Sequence, residues 1–224
     1  MNKKIGLLGG GQLGRMLIQE AIDLDVEIHC LENDINAPCA NIAHGFTKGS
    51  ITDKQTVLDF GAAFDLITVE IENVSIEALY ELEALGKKVY PQPRVLELIR
   101  DKGVQKEFYE THQIPTADFQ LITDTHGLQA PMEFPFVQKM RVGGYDGKGV
   151  KIIRSQMDWD KRFTAASVIE SMIPFEKELS VIVARNENGE IAVYPTVECE
   201  FNDANLVAYL FSPASISDEI EQKA

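Results

Sequence analysis

The sequence predicts an α/β protein. A doubly wound parallel sheet at the N-terminus should be followed by a mixed α+β region that looks incomplete. Three observations carry that expectation. A strand, a glycine turn and a helix follow one another over Lys3–Leu24, and strands alternate with helices through roughly the first 90 residues. Beyond Phe134 the pattern changes to strands arranged around a second glycine-rich turn.

The first half justifies this element by element. Lys3–Leu8 reads as a buried strand and runs directly into Gly9-Gly10-Gly11-Gln12-Leu13-Gly14. Arg15–Leu24 has helical periodicity, with Leu13, Met16, Leu17 and Ala21 expected on one face. Gly9-x-Gly11-x-x-Gly14 therefore has the form of a dinucleotide-binding turn in its strand–turn–helix setting. Val26–Leu31 gives a second strand and ends at Glu32, about 20 residues past the glycines, where a ribose-binding acid sits in such sites. The same turn also serves other anions, or merely packs a helix on a strand. Ile51–Ala62 reads as a helix, Asp65–Glu70 as a strand, Ser75–Leu85 as a helix capped by Ser75, and Lys87–Tyr90 as a short strand. Glu70 and Glu72 stand at a strand's C-terminal end, where doubly wound sheets bind ligands. Solvated loop acids remain an equal reading for them.

Pro91-Gln92-Pro93 marks a boundary. Helices follow at Arg94–Ile99 and Lys102–Thr111, then an extended Ile114-Pro115-Thr116. The remainder reads as a strand before the glycine turn, Val150–Ile153, a helix over Gln156–Phe163, and strands at Ser167–Met172 and Glu178–Arg185. Asn186–Gly189 should turn the chain back into a returning strand at Glu190–Glu198. Leu206–Phe211 and a helix starting at the Ser217-Asp218 cap complete it. The divisions expected are 1–92, 93–168 and 169–224.

Composition bounds the function. The chain has 224 residues, 45% of them hydrophobic and 25% charged, which suits an ordinary globular protein. Thirty-five acidic residues against 21 basic give a net charge of −14, which argues against nucleic acid or an anionic membrane as partner. Cys30, Cys39 and Cys199 are odd in number and lack metal-ligand spacing, so reduced thiols in a cytoplasmic protein are expected. The apolar run after Lys4 is too short for a signal peptide or a membrane span.

Against this acidic background Arg141-Val142-Gly143-Gly144-Tyr145-Asp146-Gly147-Lys148-Gly149 stands out. Four glycines in seven residues let a backbone approach a ligand closely and aim its N–H groups at it. Lys139, Arg141 and Lys148 add positive charge. The turn reads either as a lid over phosphates or as a generous hairpin.

Taken together, these motifs resemble the ATP-grasp superfamily, and within it the 5-(carboxyamino)imidazole ribonucleotide synthases of the PurK type. The residues that carry the resemblance are Gly9–Leu17, Thr68-Val69-Glu70-Ile71-Glu72, Asp101-Lys102 with Gln105-Lys106, Ile114–Ala117, Gly143–Gly149, and Glu178-Leu179-Ser180-Val181 running to Arg185. The resemblance implies a pre-ATP-grasp, Rossmann-like domain followed by part of an ATP-grasp domain. It implies a ligase that uses ATP and bicarbonate to form carboxyphosphate, which carboxylates 5-aminoimidazole ribonucleotide in purine biosynthesis.

By the same resemblance, Lys139 and Lys102 contact ATP phosphates, and Gly143, Gly144, Tyr145, Gly147 and Gly149 close over them. Glu170, Ser171, Met172 and Ile173 supply backbone to the adenine edge, and Glu178 takes the ribose hydroxyls. Gln12, Leu13, Glu72, Tyr145, Asp146 and Lys148 hold the ribonucleotide, with Lys139, Asp146 and Lys148 nearest the chemistry. Such enzymes need Mg²⁺, whose carboxylate ligands are expected in a C-terminal part that this chain lacks. The chain alone is therefore expected to be inactive, and a homodimer is implied at full length. Two departures stand out: Lys102 replaces a common Arg, and Phe201 replaces a common His, which removes any His-mediated nucleotide contact there. The alternatives are another ATP-grasp ligase, such as a formate-using glycinamide ribonucleotide transformylase or a biotin carboxylase, and an NAD-binding oxidoreductase domain built on Gly9–Gly14 and Glu32.

Overall fold

The computed structural model describes residues 3–144, 149–202 and 207–224. The chain divides into two compact units, 1–105 and 106–224.

The first unit opens with β1 (Lys3–Leu8), α1 (Gln12–Asp23), β2 (Val26–Glu32) and β3 (Gly45–Lys48). It continues through α2 (Lys54–Gly61), β4 (Leu66–Val69), α3 (Ile76–Ala84), β5 (Lys88–Tyr90) and α4 (Pro93–Arg100). Five strands form one sheet in the order β3-β2-β1-β4-β5, and every neighbouring pair is parallel. Strand order reverses beside β1, so the glycine turn that follows β1 lies at the switch point where such sheets bind ligands. Successive side chains of β1 serve opposite faces. Leu8 packs with Val57, Phe60, Leu79 and Leu82 from α2 and α3, whereas Leu7 packs with Ile18 and Ala21 of α1.

One expectation needs correcting here. The buried face of α1 is Gly14, Ile18 and Ala21, whereas Leu13, Met16 and Leu17 are 65%, 53% and 44% exposed. The chain had two competing apolar stripes, and the stripe with small residues won. Gly14 allows the helix to come down on Cys39 Sγ and a Leu7 methyl, which a Cβ would meet at 3.0 and 3.1 Å. The expected helix over Ile51–Ala62 begins only at Lys54, because Asp53 caps it by accepting from Thr56 N–H at 2.8 Å. Ser75 caps α3 as expected. Strand β3 carried no clear sequence signal. Its Gly45 is needed because a Cβ there would lie 2.3 Å from His29 Nδ1.

Helix α5 (Lys102–Thr111) has residues on both sides of the division and is capped by Asp101, whose Oδ1 accepts from Gly103 N–H at 2.7 Å. The second unit then contains β6 (Phe119–Ile122), β7 (Phe136–Met140), β8 (Val150–Ile153), α6 (Gln156–Trp159) and β9 (Ser167–Ser171). After these come β10 (Glu178–Ser180), β11 (Val183–Arg185), β12 (Ile191–Val193), β13 (Val197–Phe201), β14 (Val207–Phe211) and α7 (Asp218–Lys223). A four-stranded antiparallel sheet runs β6-β9-β7-β8, so β9, which straddles residues 168 and 169, is internal. Phe136, Ile153, Trp159 and Ile169 form its core. Trp159 closes that core with an edge contact to Phe136 at 5.7 Å and an indole N–H donated to Leu128 O at 2.9 Å. The expected helix over Gln156–Phe163 is a single turn ending at Trp159.

The two long strands expected at Glu178–Arg185 and Glu190–Glu198 are each broken. β10, β13 and β14 make one antiparallel sheet, and β11 and β12 make a separate hairpin. A single alternating sequence pattern was thus shared between two sheets.

Candidate functional site

The first unit presents the glycine turn. Gly9 N–H donates to Leu31 O at 3.0 Å, and Gly9 has φ +104, a left-handed conformation that a side chain would strain. Two carboxylates lie against the turn, and one of them bonds it. Glu32 Oε2 accepts from Gly10 N–H at 3.0 Å, while its Oε1 accepts from Asn33 and Asp34 N–H at 2.6 and 3.1 Å. Glu70 lies under Gly11 so closely that a Cβ there would meet its Oε1 at 2.5 Å. Gln12 and Leu13 open α1 in exposed positions, and Glu72 is exposed just past β4. A helix N-terminus of this kind favours an anionic ligand group. Lys102, also in this unit, is half-buried at the start of α5.

The second unit presents a charged sheet face. Phe136 and Gln138 of β7 and Ile169 of β9 are buried in or against the core, so Val137, Lys139, Val168 and Glu170 point the other way. Lys139 pairs with Val168 and Val137 with Glu170, which makes Lys139 and Glu170 diagonal neighbours. Lys139 Nζ lies 2.6 Å from Glu170 Oε2. The other carboxylate oxygen, Oε1, is 3.1 Å from Lys106 Nζ, contributed by α5. Lys106 also donates to Thr116 Oγ1 and stands 5.6 Å from the Phe119 ring centroid. Lys106 and Glu170 are only 8% and 6% exposed, whereas about a third of the Lys139 side chain reaches solvent. A buried carboxylate is costly unless paired. Here each oxygen has its own ammonium, and the trio carries one net positive charge facing outward through Lys139.

The glycine-rich stretch is the tip of the β7–β8 hairpin. Met140 N–H donates to Gly149 O at 2.8 Å, and Gly149, with φ +94, leaves no room for a side chain because a Cβ would meet Gly144 Cα at 2.8 Å. The strands on either side of the glycine-rich stretch are paired as a hairpin. Gly143 is exposed and Gly144 half-buried. Tyr145, Asp146, Gly147 and Lys148 lie outside the described residues. At the end of β9, Ser171 N–H is used by Asp118 O at 2.9 Å, and Glu170 is internal to the sheet. Met172 and Ile173 follow beyond the strand and are exposed. Glu178 is exposed at the start of β10, opposite Cys199, and Phe201 ends β13.

A model of the ATP-grasp domain matches residues 107–224 of this chain. The chain belongs to the ATP-grasp family. A model described as the ribonucleotide synthetase pre-ATP-grasp domain matches residues 1–100, so this ATP-grasp protein has the two-part organisation of the PurK type.

Individual proteins agree. The N5-carboxyaminoimidazole ribonucleotide synthase of Synechococcus elongatus is 32% identical, with 97% of this chain aligned to 57% of that protein. The crystal structure of the corresponding synthetase from Thermotoga maritima superposes with a TM-score of 0.86 at 34% identity, covering 99% of this chain and 58% of that one. The Aspergillus clavatus enzyme, in complex with ADP and 5-aminoimidazole ribonucleotide, superposes with a TM-score of 0.87 at 30% identity, covering 100% of this chain and 60% of that one. This chain thus spans somewhat under two thirds of the length of these relatives.

The oxidoreductase alternative fails on geometry as well as on family. Glu32, the acid that should receive a ribose, has both oxygens committed to the backbone of its own loop. Among the described residues no group of three or more His, Cys, Asp or Glu side chains is arranged to hold a metal ion. No helix among the described residues is long and apolar enough to cross a membrane.

Sequence reasoning found Lys139 but not its setting. Lys106 was noted only as part of a motif, and Glu170 only for its backbone. A signal was available in Ser167-Val168-Ile169-Glu170, where one acid interrupts an otherwise apolar internal strand. An isolated charge in such a strand implies a buried counter-charge.

Proposed function

We propose that this chain carries the nucleotide- and ribonucleotide-binding parts of an ATP-dependent carboxylase of purine biosynthesis. The reaction joins bicarbonate to the amine of 5-aminoimidazole ribonucleotide through carboxyphosphate and releases ADP and phosphate. The observation that carries this reading is the outward-facing Lys139 on a sheet whose next element is the glycine-rich hairpin tip. A positive charge beside a loop of backbone donors is suited to phosphate oxygens.

In this reading Lys139 and Lys102 meet ATP phosphates, and the Gly143–Gly149 tip covers them. Glu170 to Ile173 flank the adenine, with the backbone of Met172 and Ile173 facing its edge, and Glu178 takes the ribose hydroxyls. Gln12, Leu13 and Glu72 receive the ribonucleotide together with the tip residues Tyr145, Asp146 and Lys148. Bicarbonate is a poor electrophile, so the tip's task is to exclude water from a labile mixed anhydride while fixed dipoles offset phosphate charge. Mg²⁺, when bound, would supply further charge neutralisation to the phosphates. A cytoplasmic location and a homodimer complete the proposal; both rest on the resemblance.

Calorimetric titration of the chain with ATP, ADP and NAD tests it. Adenine nucleotides should bind and NAD should not, and Lys139→Met should weaken ADP binding by about tenfold, the effect of one charged contact. Tight NAD binding with no ATP effect would overturn the proposal.

A further inference from the structure

The Lys106–Glu170–Lys139 trio poses a problem that the nucleotide reading leaves open. Lys139 is the one member that reaches solvent, yet its ammonium is held by Glu170 at 2.6 Å. A lysine locked to a carboxylate offers a distant anion little net charge. For Lys139 to meet a phosphate, Glu170 must tolerate losing that partner while it stays 6% exposed. An abandoned carboxylate in that position would be strongly destabilising, enough to keep Lys139 where it is.

Lys106 removes the difficulty. It is buried, it holds the opposite oxygen of the same carboxylate at 3.1 Å, and it is anchored independently by Thr116 and by the Phe119 ring. With Lys106 in place, Glu170 is neutralised on its inner side whether or not Lys139 stays. We propose that Lys106 is a positioning residue for nucleotide binding: by satisfying Glu170 from within, it frees the charge of Lys139 for a phosphate. Lys106 does not itself touch the nucleotide. This assignment rests on the nucleotide reading of the site.

Three variants and two readouts test it. Lys106→Met keeps the length of the side chain and leaves Glu170 with Lys139 as its one counter-ion among the described residues. The double variant Lys106→Met/Glu170→Gln removes both inner charges and leaves Lys139 unencumbered. Glu170→Gln alone completes the cycle. ADP affinity is measured by calorimetry, and the acetylation rate of Lys139 by acetic anhydride is followed by peptide mass spectrometry. Fluorescence of Trp159 verifies that the unit stays folded.

Lys106→Met should weaken ADP binding by about tenfold, the scale of one charge at close range in a partly screened site. It should also slow Lys139 acetylation. The double variant should restore both, with ADP affinity within about threefold of the wild type, because the uncompensated carboxylate is gone. A merely structural role for Lys106 makes the opposite forecast, since two core substitutions should bind no better than one. A double variant no better than Lys106→Met, or a Lys106→Met protein that binds ADP like the wild type, would sink the assignment alone. A wild-type chain that binds no ADP would sink the nucleotide reading, and this assignment with it.

Discussion

Gln138→Met tests how the sheet that bears Lys139 is held in register. Gln138 is fully buried, and its amide makes three hydrogen bonds. Nε2 donates to Phe163 O at 2.8 Å and Ser167 Oγ at 2.9 Å, and Oε1 accepts from Phe163 N–H at 3.0 Å. These bonds tie β7 to the connection that leads from α6 into β9. Methionine fills similar space but cannot replace them. Phe163 O keeps a second donor in Thr125 Oγ1 at 2.6 Å, and the Ser167 hydroxyl still donates to Ala165 O at 2.8 Å. Phe163 N–H alone is orphaned.

An orphaned donor costs about 1–3 kcal/mol and each further lost bond roughly 0.5–1.5, partly offset by the apolar thioether, for a total of about 2–4 kcal/mol. Trp159 is the only tryptophan in the chain, so its fluorescence reports unfolding of the second unit specifically. With a urea slope of about 2 kcal/mol per molar, the middle of the usual range, the midpoint should fall by about 1–2 M. A midpoint shift below about 0.3 M would show that the amide network is dispensable and that packing alone sets the register.

Other parts of the fold give further expected outcomes. Gly61→Ala places a Cβ 2.6 and 2.9 Å from the methyls of Leu82, which is itself buried and cannot retreat. Overpacking of about 1–3 kcal/mol should outweigh the helix-propensity gain of about 1 kcal/mol, lowering the melting temperature of the first unit by circular dichroism. A side-chain and then a backbone hydrogen bond from Thr56 hold the Asp53 carboxyl below its usual range. Its capping contribution should be present above the ordinary Asp value of about 3.9 and fade as pH falls through the lower folded-state value. Asp53→Ala should therefore lower the urea midpoint at neutral pH and converge with the wild type in strong acid. Burial, followed by the neighbouring Cys39 thiol, pushes the Cys30 thiol up, and both cysteines are fully buried, whereas Cys199 is half-exposed. A thiol reagent should thus modify Cys199 quickly in the native protein, and Cys30 and Cys39 only on unfolding.

Local pattern carried far in the first unit because its information is local. Alternating strands and helices give a parallel sheet, Ser75 caps α3 where a cap is needed, and Gly9–Gly14 mark a strand-to-helix turn whatever the chain does later. The motifs were equally local, which is why the family could be read from Gly9–Leu17 and Gly143–Gly149 before any coordinate. Pairing was not local. The order β3-β2-β1-β4-β5 and the division of Glu178–Glu198 between two sheets depend on partners far along the chain, and a period of two reads the same in either sheet. Burial was only half legible: both stripes of α1 are apolar, and the close approach that Gly14 permits decided between them.

The sequence by itself determined the family, the doubly wound first half, the glycine-rich tip and the identity of Lys139 as the basic residue beside it. Tertiary structure decided what surrounds that lysine. Glu170 comes from the neighbouring strand, and Lys106 arrives from a helix more than thirty residues away in sequence. The reason is physical: a charge can be recognised residue by residue, but its neutralisation is a distance, and only the folded chain sets distances.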